Sequence, residues 1–392
     1  MILVVEPVFP NAHHAPGNAG RLLAIRLAAG DAPVLFAAHP AHRAAVFDIL
    51  GKLGLGEAAC RRIAARDIAV LPAGGISLRR FCAQAATLFR LVRQARPRCL
   101  VLLGTQPETL FAARLLRLVH RDLPVVAVLH GNLHEAAAGW RSRDPRRRWF
   151  DDRAALRAAI GERGIDFVVL DSAVRRAALA LGLLPPGRTH VWPEVVTDPP
   201  LPPHRPDRQR LRIAFLGAAK RAKGFADFAA ISRRLAARGG YEFSLVGALQ
   251  DSFDAEDLAH IDIPAGFLDR ADFLARLARV DYVCLPLRED TYTLTVSGAV
   301  LDAIAAARPL LALPTPALRE LFRDGPAGFL CDDLAALEAV MGQPDRLADP
   351  LLYDQFRASL LRARGLRSPQ HLALAMRPML ARGGPLDPSG RM

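Results

Sequence analysis

Short apolar runs alternate with longer helical patterns along the whole of this chain, and that alternation restricts the fold more than any other feature. In the first half the candidate strands are 2–5, 34–37, 68–71, 99–103, 125–129 and 167–170. Between them lie segments such as 79–95 and 108–119, whose apolar residues recur at three and four. Strands separated by helices pair in parallel, and a strand buried on both faces reads as a continuous apolar run. The alternation pauses at 184–208, where eight prolines and no sustained helical period predict the end of a first domain and a linker. It resumes with candidate strands 213–216, 243–246, 282–285, 310–313 and 328–330. The expected fold class is α/β, with two Rossmann-like domains at 1–197 and 210–365 and a proline-rich linker at 198–209. Residues 366–392 are expected to form a C-terminal helix and tail, interrupted by Pro378, that packs back on the first domain.

Composition narrows the partners. Hydrophobic residues at 51% and charged residues at 23% describe a globular chain, and 392 residues suffice for two domains. The formal charge of +13 suits anionic lipid, acidic sugars or phosphate-bearing substrates. An arginine excess of this kind also accompanies high-GC coding, so no nucleic-acid partner is expected. Cys60, Cys82, Cys99, Cys284 and Cys331 are odd in number and widely spaced, which fits buried thiols and neither a disulfide frame nor a zinc site. Met1–Val5 meets Glu6 and Pro7 with no basic n-region, and no run approaches the ~18 apolar residues of a membrane span. The expectation is a cytoplasmic protein, at most peripheral to a membrane.

The chain holds three lysines, Lys52, Lys220 and Lys223, against 49 arginines. Two of the three fall in Leu211-Arg-Ile-Ala-Phe-Leu-Gly-Ala-Ala-Lys-Arg-Ala-Lys-Gly-Phe225, where an apolar strand meets a glycine, a basic loop and a second glycine that opens a helix. Lysine is a compact point charge, and helix-start amides add to its attraction for an anion, so the loop is a candidate diphosphate site. A solvated basic turn is the other reading. Gly54-Leu-Gly-Glu-Ala-Ala59 matches a loose dinucleotide pattern, but it follows a helical stretch where that motif needs a strand, and it is rejected.

His130 ends the strand 125–129 at its carboxyl end, where open α/β sheets place their ligands. Gly131 and Asn132 turn the chain there, so His134 is not expected to share a helix face with it as a zinc pair. His13, His14, Gly17 and Asn18, with Gly20, cluster after the first strand, and small residues there would let a substrate approach the backbone. They serve equally well as a polar turn. Trp140-Arg-Ser-Arg-Asp-Pro-Arg-Arg-Arg-Trp-Phe150 sets arginines between aromatics, a mixture suited to a membrane interface, to a phosphate-bearing acceptor or to a solvated basic face. No Asp-x-Asp occurs anywhere, so a divalent cation has no obvious seat and no metal is expected.

The second half resembles the donor domain of retaining family-4 glycosyltransferases, which have the GT-B fold. Gly217 with Lys223-Gly224 is similar to their Gly-Arg-x-x-x-x-Lys-Gly loop, and Val280-Asp-Tyr-Val-Cys-Leu-Pro286 to the strand before their acidic motif. Leu301-Asp-Ala-Ile-Ala-Ala-Ala-Arg-Pro-Leu310 resembles their Glu-Ala-Met-Ala-x-Gly-x-Pro-Val helix and strand, and Arg323-Asp-Gly-Pro-Ala-Gly-Phe329 continues the match. In the first half the likeness rests on the glycine loop and Ala127-Val-Leu-His130. The family's arginine is Ala218 here, leaving Lys220 or Arg221 to supply its charge; the first acidic residue falls on Leu294 and the second on Asp302. Tyr292, Thr295, Ser297 and Gly298 resemble a variant pattern of some bacterial polysaccharide transferases.

The resemblance implies two domains facing across a cleft and transfer of a sugar, with retention and without metal, from a nucleoside-diphosphate sugar to a bacterial envelope or exopolysaccharide acceptor. Lys223, Lys220 and the 297–298 amides would hold the diphosphate beside Gly217, and Asp302 the ribose. His130 would meet the donor sugar, and His13, His14, Gly17 and Asn18 would border a glycan or lipid-linked acceptor. The nucleotide sugar is a substrate and no cofactor is implied. The departures at 218 and 294 keep a catalytically inactive nucleotide-sugar-binding or assembly protein in view, and a nucleotide-sugar epimerase shares the fold.

Overall fold

The computed structural model describes residues 1–11, 14–53, 63–71, 77–130, 132–137, 151–198, 200–202, 205–289 and 291–381. The chain divides into two compact units, Met1–Thr197 with the residues from Arg367 on, and Asp198–Leu366.

In the first unit seven strands, β1 (Ile2–Val5), β2 (Val34–Ala38), β3 (Ile63–Asp67), β4 (Cys99–Leu102), β5 (Val125–Val128), β6 (Ile165–Val169) and β7 (Thr189–Val191), lie in the order β3-β2-β1-β4-β5-β6-β7. All pair in parallel, with Ile2 opposite Val34 on one side and Cys99 on the other. The central strands are wholly buried apolar runs because helices cover both faces. The helix Ala15–Ala28 packs on one face together with Pro369–Ala381, which contributes Leu372, Met376 and Leu380 to the first unit's core.

The second unit repeats the plan with β8 (Leu211–Ala219), β9 (Tyr241–Leu249), β10 (Ile261–Asp262), β11 (Tyr282–Leu285), β12 (Leu310–Ala312) and β13 (Gly328–Leu330), ordered β10-β9-β8-β11-β12-β13. One apolar cluster lies on each face of this sheet, one around Phe215, Phe225 and Phe228, the other around Leu216, Val283 and Ile304.

The candidate strands at 282–285 and 328–330 coincide with β11 and β13. The strand expected at 68–71 is displaced: β3 occupies Ile63–Asp67, where only Ile63 is buried and Arg66 and Asp67 face outward, as an edge strand allows. Two strands escaped the pattern. β7 sits inside the proline-rich stretch, and β10 is only two residues long. Gly54–Ala59 and Trp140–Phe150 lie outside the described residues.

Candidate active site

In a doubly wound sheet the strand order reverses at one point, and the loops that leave the carboxyl ends there diverge and open a crevice. That point lies between β1 and β4 in the first unit and between β8 and β11 in the second.

In the second unit β8 ends at Ala219, and Lys220 leads into a single turn, Arg221–Lys223. Gly224, at φ +78°, then starts the helix Phe225–Ala236. A Cβ at Gly224 would be driven into the Pro286 carbonyl, so the loops after β8 and β11 touch at the switch point. Gly217 also takes a left-handed φ of +85° near the end of β8. Lys220 and Lys223 are both half-buried and have no ion-pair partner among the described residues. Burial, reinforced by the charge of Lys220, pulls the Lys223 ammonium below its usual range. The third lysine differs: Lys52 reaches Asp48 at 2.6 Å. Arg221 turns away from the loop, donating to the Ser252 carbonyl at 3.1 Å and lying 5.0 Å from the Phe253 ring centre. Between the two residues that could replace the family's arginine, Lys220 is the one left without a partner.

Past β11, Tyr292 and Leu294 are buried, so the first acidic position of the family pattern is part of the packed interior. Thr295 is half-buried, and Ser297 caps the helix Gly298–Ala306 without a side-chain capping bond. Its Oγ is buried and forms no well-aligned hydrogen bond, and the Tyr292 hydroxyl is its polar neighbour. Gly298 is exposed at the helix start, whose first amides have no intrahelical acceptor. Asp302, one turn on, accepts from Arg270 Nη1 at 2.9 Å, and the same guanidinium pairs with Asp198. Burial raises the Asp302 carboxyl and Arg270 opposes the rise. Arg270 escaped the sequence reading because its partners lie 32 and 72 residues away.

The first unit gathers a buried polar network at its own switch point. Glu6, directly after β1, is fully buried. Its Oε1 accepts from the amides of Val8 at 2.9 Å and Phe9 at 3.3 Å, and its Oε2 from Asn18 Nδ2 at 2.9 Å. The second Asn18 amide hydrogen faces His42 Nε2 at 3.0 Å, while His42 Nδ1 lies 2.6 Å from the Asn11 carbonyl. Asn18 Oδ1 accepts from Arg21 at 3.1 Å, and Arg21 also pairs with Glu194. A Cβ at Gly17 would collide with that Glu194 carboxylate, so glycine makes room for the pair. His14 begins the helix Ala15–Ala28, with its ring 4.0 Å from Phe9 and 5.9 Å from His130. His13 lies outside the described residues.

His130 is half-buried as a residue, yet its Nε2 is shut off from solvent and has no hydrogen-bond partner among the described residues. The Leu103 backbone lies near enough to the ring to favour its protonated form. Burial first, then the charges of Arg21 and His14, hold the imidazole well below its usual pKa. It is therefore neutral at pH 7. Glu6, Arg21, His42 and Glu194 were not singled out from the sequence, although Glu6 follows β1 much as His130 follows β5.

Burial pushes the Glu6 carboxyl up to about 7, against the hydrogen bonds it accepts and the charge of Arg21. A carboxyl raised in the folded state favours the fold when protonated. Its contribution is present below the unfolded pKa and is lost as pH rises towards the folded one. Relative to Glu6→Gln, the parent should therefore lose about 3 kcal/mol of stability between pH 4.5 and 7.5 and little above that. Denaturant titrations of both proteins across that range check it; a constant difference would contradict the buried carboxyl.

Two parallel-sheet Rossmann-like units of this kind define a GT-B architecture, and comparison with known proteins bears this out. Residues 210–343, about a third of the chain, match the family model described as glycosyl transferases group 1. Among solved structures, TarM is similar with a TM-score of 0.67 at 10% identity, over 97% of this chain and 98% of that one. A glycosyltransferase from Rickettsia africae ESF-5 is similar with a TM-score of 0.60 at 10% identity, over 97% and 98%. Anabaena Alr3699/HepE, in complex with UDP-glucose, is similar with a TM-score of 0.60 at 13% identity, over 97% and 98%. No curated protein matches the chain. At these identities the structures show the fold, and the family match likens residues 210–343 of the second unit to group 1 glycosyl transferases. Together they support a glycosyltransferase.

Proposed function

We propose that the protein transfers a hexose from a nucleoside-diphosphate sugar, with retention and without a metal ion, to a glycan or lipid-linked acceptor in bacterial envelope or exopolysaccharide assembly. It would work on the cytoplasmic side, peripheral to the inner membrane. One observation carries the reading: two of the three lysines stand unpaired at the switch point of the group 1 domain, on a loop that a second loop touches. Two adjacent cations without a carboxylate repel each other, and a diphosphate between them relieves that repulsion while accepting hydrogen bonds.

In this reading Lys223 and Lys220 bind the diphosphate beside Gly217, with the amides and hydroxyls of Tyr292, Thr295, Ser297 and Gly298 close to it. Asp302, oriented by Arg270, offers its remaining lone pairs to the ribose hydroxyls. The neutral His130 contacts the donor sugar near its reacting carbon. His13, His14, Gly17 and Asn18 border the acceptor, Asn18 through its place in the network. The bond from the anomeric carbon to phosphate breaks as the bond to the acceptor oxygen forms on the same face. The acceptor's proton passes to the departing phosphate, whose charge the lysines stabilise.

The test is calorimetry in EDTA with the diphosphate among UDP, GDP, ADP and dTDP that raises the melting temperature most. UDP leads the set because structures of Anabaena Alr3699/HepE hold UDP and UDP-glucose. Lys223→Ala should bind about 10- to 100-fold more weakly, the loss of one charge-assisted bond of ~1.5–3 kcal/mol. Equal affinities would remove Lys223 from the site. Parent binding that vanishes in EDTA and returns with magnesium would overturn the metal-free reading.

A further inference from the structure

Away from the site, three neighbouring helices of the first unit, Leu78–Ala95, Pro107–Val119 and Asp152–Ile160, form one layer over its sheet. Their outward side chains include Arg79, Arg90, Arg93, Arg114, Arg153 and Arg157, all exposed, and none has an ion-pair or hydrogen-bond partner among the described residues. No carboxylate on these helices is exposed. Glu108 is buried against Arg80, and Asp152 is half-buried, where burial and three neighbouring carboxylates push it up to about 6.

Many exposed arginines elsewhere are paired, although Arg238, Arg279 and Arg377, which lie apart from one another in sequence, have no partner among the described residues. Arg210, Arg233, Arg234, Arg319 and Arg323 each pair with a glutamate or aspartate. A paired guanidinium adds little field at a distance, whereas six unpaired ones on one flank add theirs together. The same helices leave large aliphatic side chains in water: Leu78, 65% exposed, at the start of the first, and Leu115, Leu118 (51%) and Val119 (63%) along the last turns of the second.

We propose that this flank is a docking surface for an anionic lipid bilayer. Cations matched to lipid phosphates and aliphatic groups that enter the headgroup layer are the two components of interfacial binding. A polyanion without an apolar phase would use the arginines and leave the leucines wet. A second copy of this flank would set six guanidinium groups against six. Arginine also suits the role through its stem, which lies along apolar surface while the planar head reaches phosphate. The bilayer would hold the protein without any spanning segment, and among the described residues no helix is long and apolar enough to cross a membrane.

The docking surface rests on the peripheral-membrane part of the proposed function; flotation with large unilamellar vesicles tests it without any donor sugar, so its failure leaves the sugar-transfer part to be judged by nucleotide binding. The full chain should float with vesicles of about 30% phosphatidylglycerol in phosphatidylcholine at low salt, and sink with pure phosphatidylcholine. Arg90→Glu/Arg93→Glu/Arg114→Glu should weaken binding at least roughly a hundredfold. Leu115→Gln/Leu118→Gln should weaken it at an unchanged melting temperature. Failure of the parent to float, undiminished binding by the charge-reversed protein, or equal capture by neutral vesicles would each overturn the proposal. A dimer in sedimentation that the leucine variant dissolves, with no vesicle binding by the parent, would give the face to a second copy instead.

Discussion

His130→Ala should lose turnover by about 10²–10³-fold while donor affinity stays within a few-fold of the parent, the scale seen when one oriented polar group is removed from a reacting centre. Three observations set this expectation. His130 stands just past the carboxyl end of β5, its Nε2 is buried with no hydrogen-bond partner among the described residues, and the Leu103 backbone lies near its ring. Nucleotide affinity should come from the second unit, through Lys223 and Asp302, which the substitution leaves intact. A group that contacts the sugar mainly in the transition state lowers kcat with little change in binding. Because the imidazole titrates well below its usual range, kcat should show no step from this residue between pH 7 and 9. Single-turnover rates and unfolding midpoints, measured together, separate a functional from a packing role. Normal turnover by folded variant would displace the active site from this loop.

Gly224→Ala should cost about 2–5 kcal/mol of stability, from a strained left-handed alanine and from overpacking against the Pro286 carbonyl. Against a typical total of about 5–15 kcal/mol, that is enough to leave the second unit partly unfolded at 37 °C. The damage should also reach the ligand. Gly224 follows Lys223 directly, and pushing the two loops apart moves the ammonium away from the switch point. Gly217→Ala is the natural control, since its φ of +85° carries the same backbone strain but no atom lies within 4 Å of the added methyl. It should cost only about 1–2 kcal/mol. Denaturant midpoints for both variants, with nucleotide affinity for whatever folds, test the close approach. Equal midpoints for the two would show that the contact with Pro286 contributes nothing.

Local pattern revealed the central strands because each is apolar over its full length, a signal that needs no knowledge of neighbours. It failed at the edges. β3 is mostly exposed and carries charge, β10 is too short to show a period, and β7 hides among prolines that suggested only a linker. Candidate site residues were legible where position alone suggests them: Lys223 and His130 each follow a strand at its carboxyl end. The networks around them were not. Asn18 reads as a loop polar residue until Glu6, His42 and Arg21 close around it, and Arg21 is matched by Glu194, 173 positions away. Whether a polar side chain contacts solvent, substrate or another buried group depends on such distant pairings, which no local pattern encodes.

The helix Pro369–Ala381 belongs to the core of the first unit, although the whole second unit separates it from the rest of that core in sequence. Order of synthesis then differs from order along the fold. The second unit can close once residue 366 has left the ribosome, while the helix Ala15–Ala28 still waits for the surface that covers it. Throughout that interval Leu22 and Ile25 belong to a core that lacks Leu372, Met376 and Leu380. The first unit, begun first, is finished last, and its nascent form exposes an apolar face that later becomes interior.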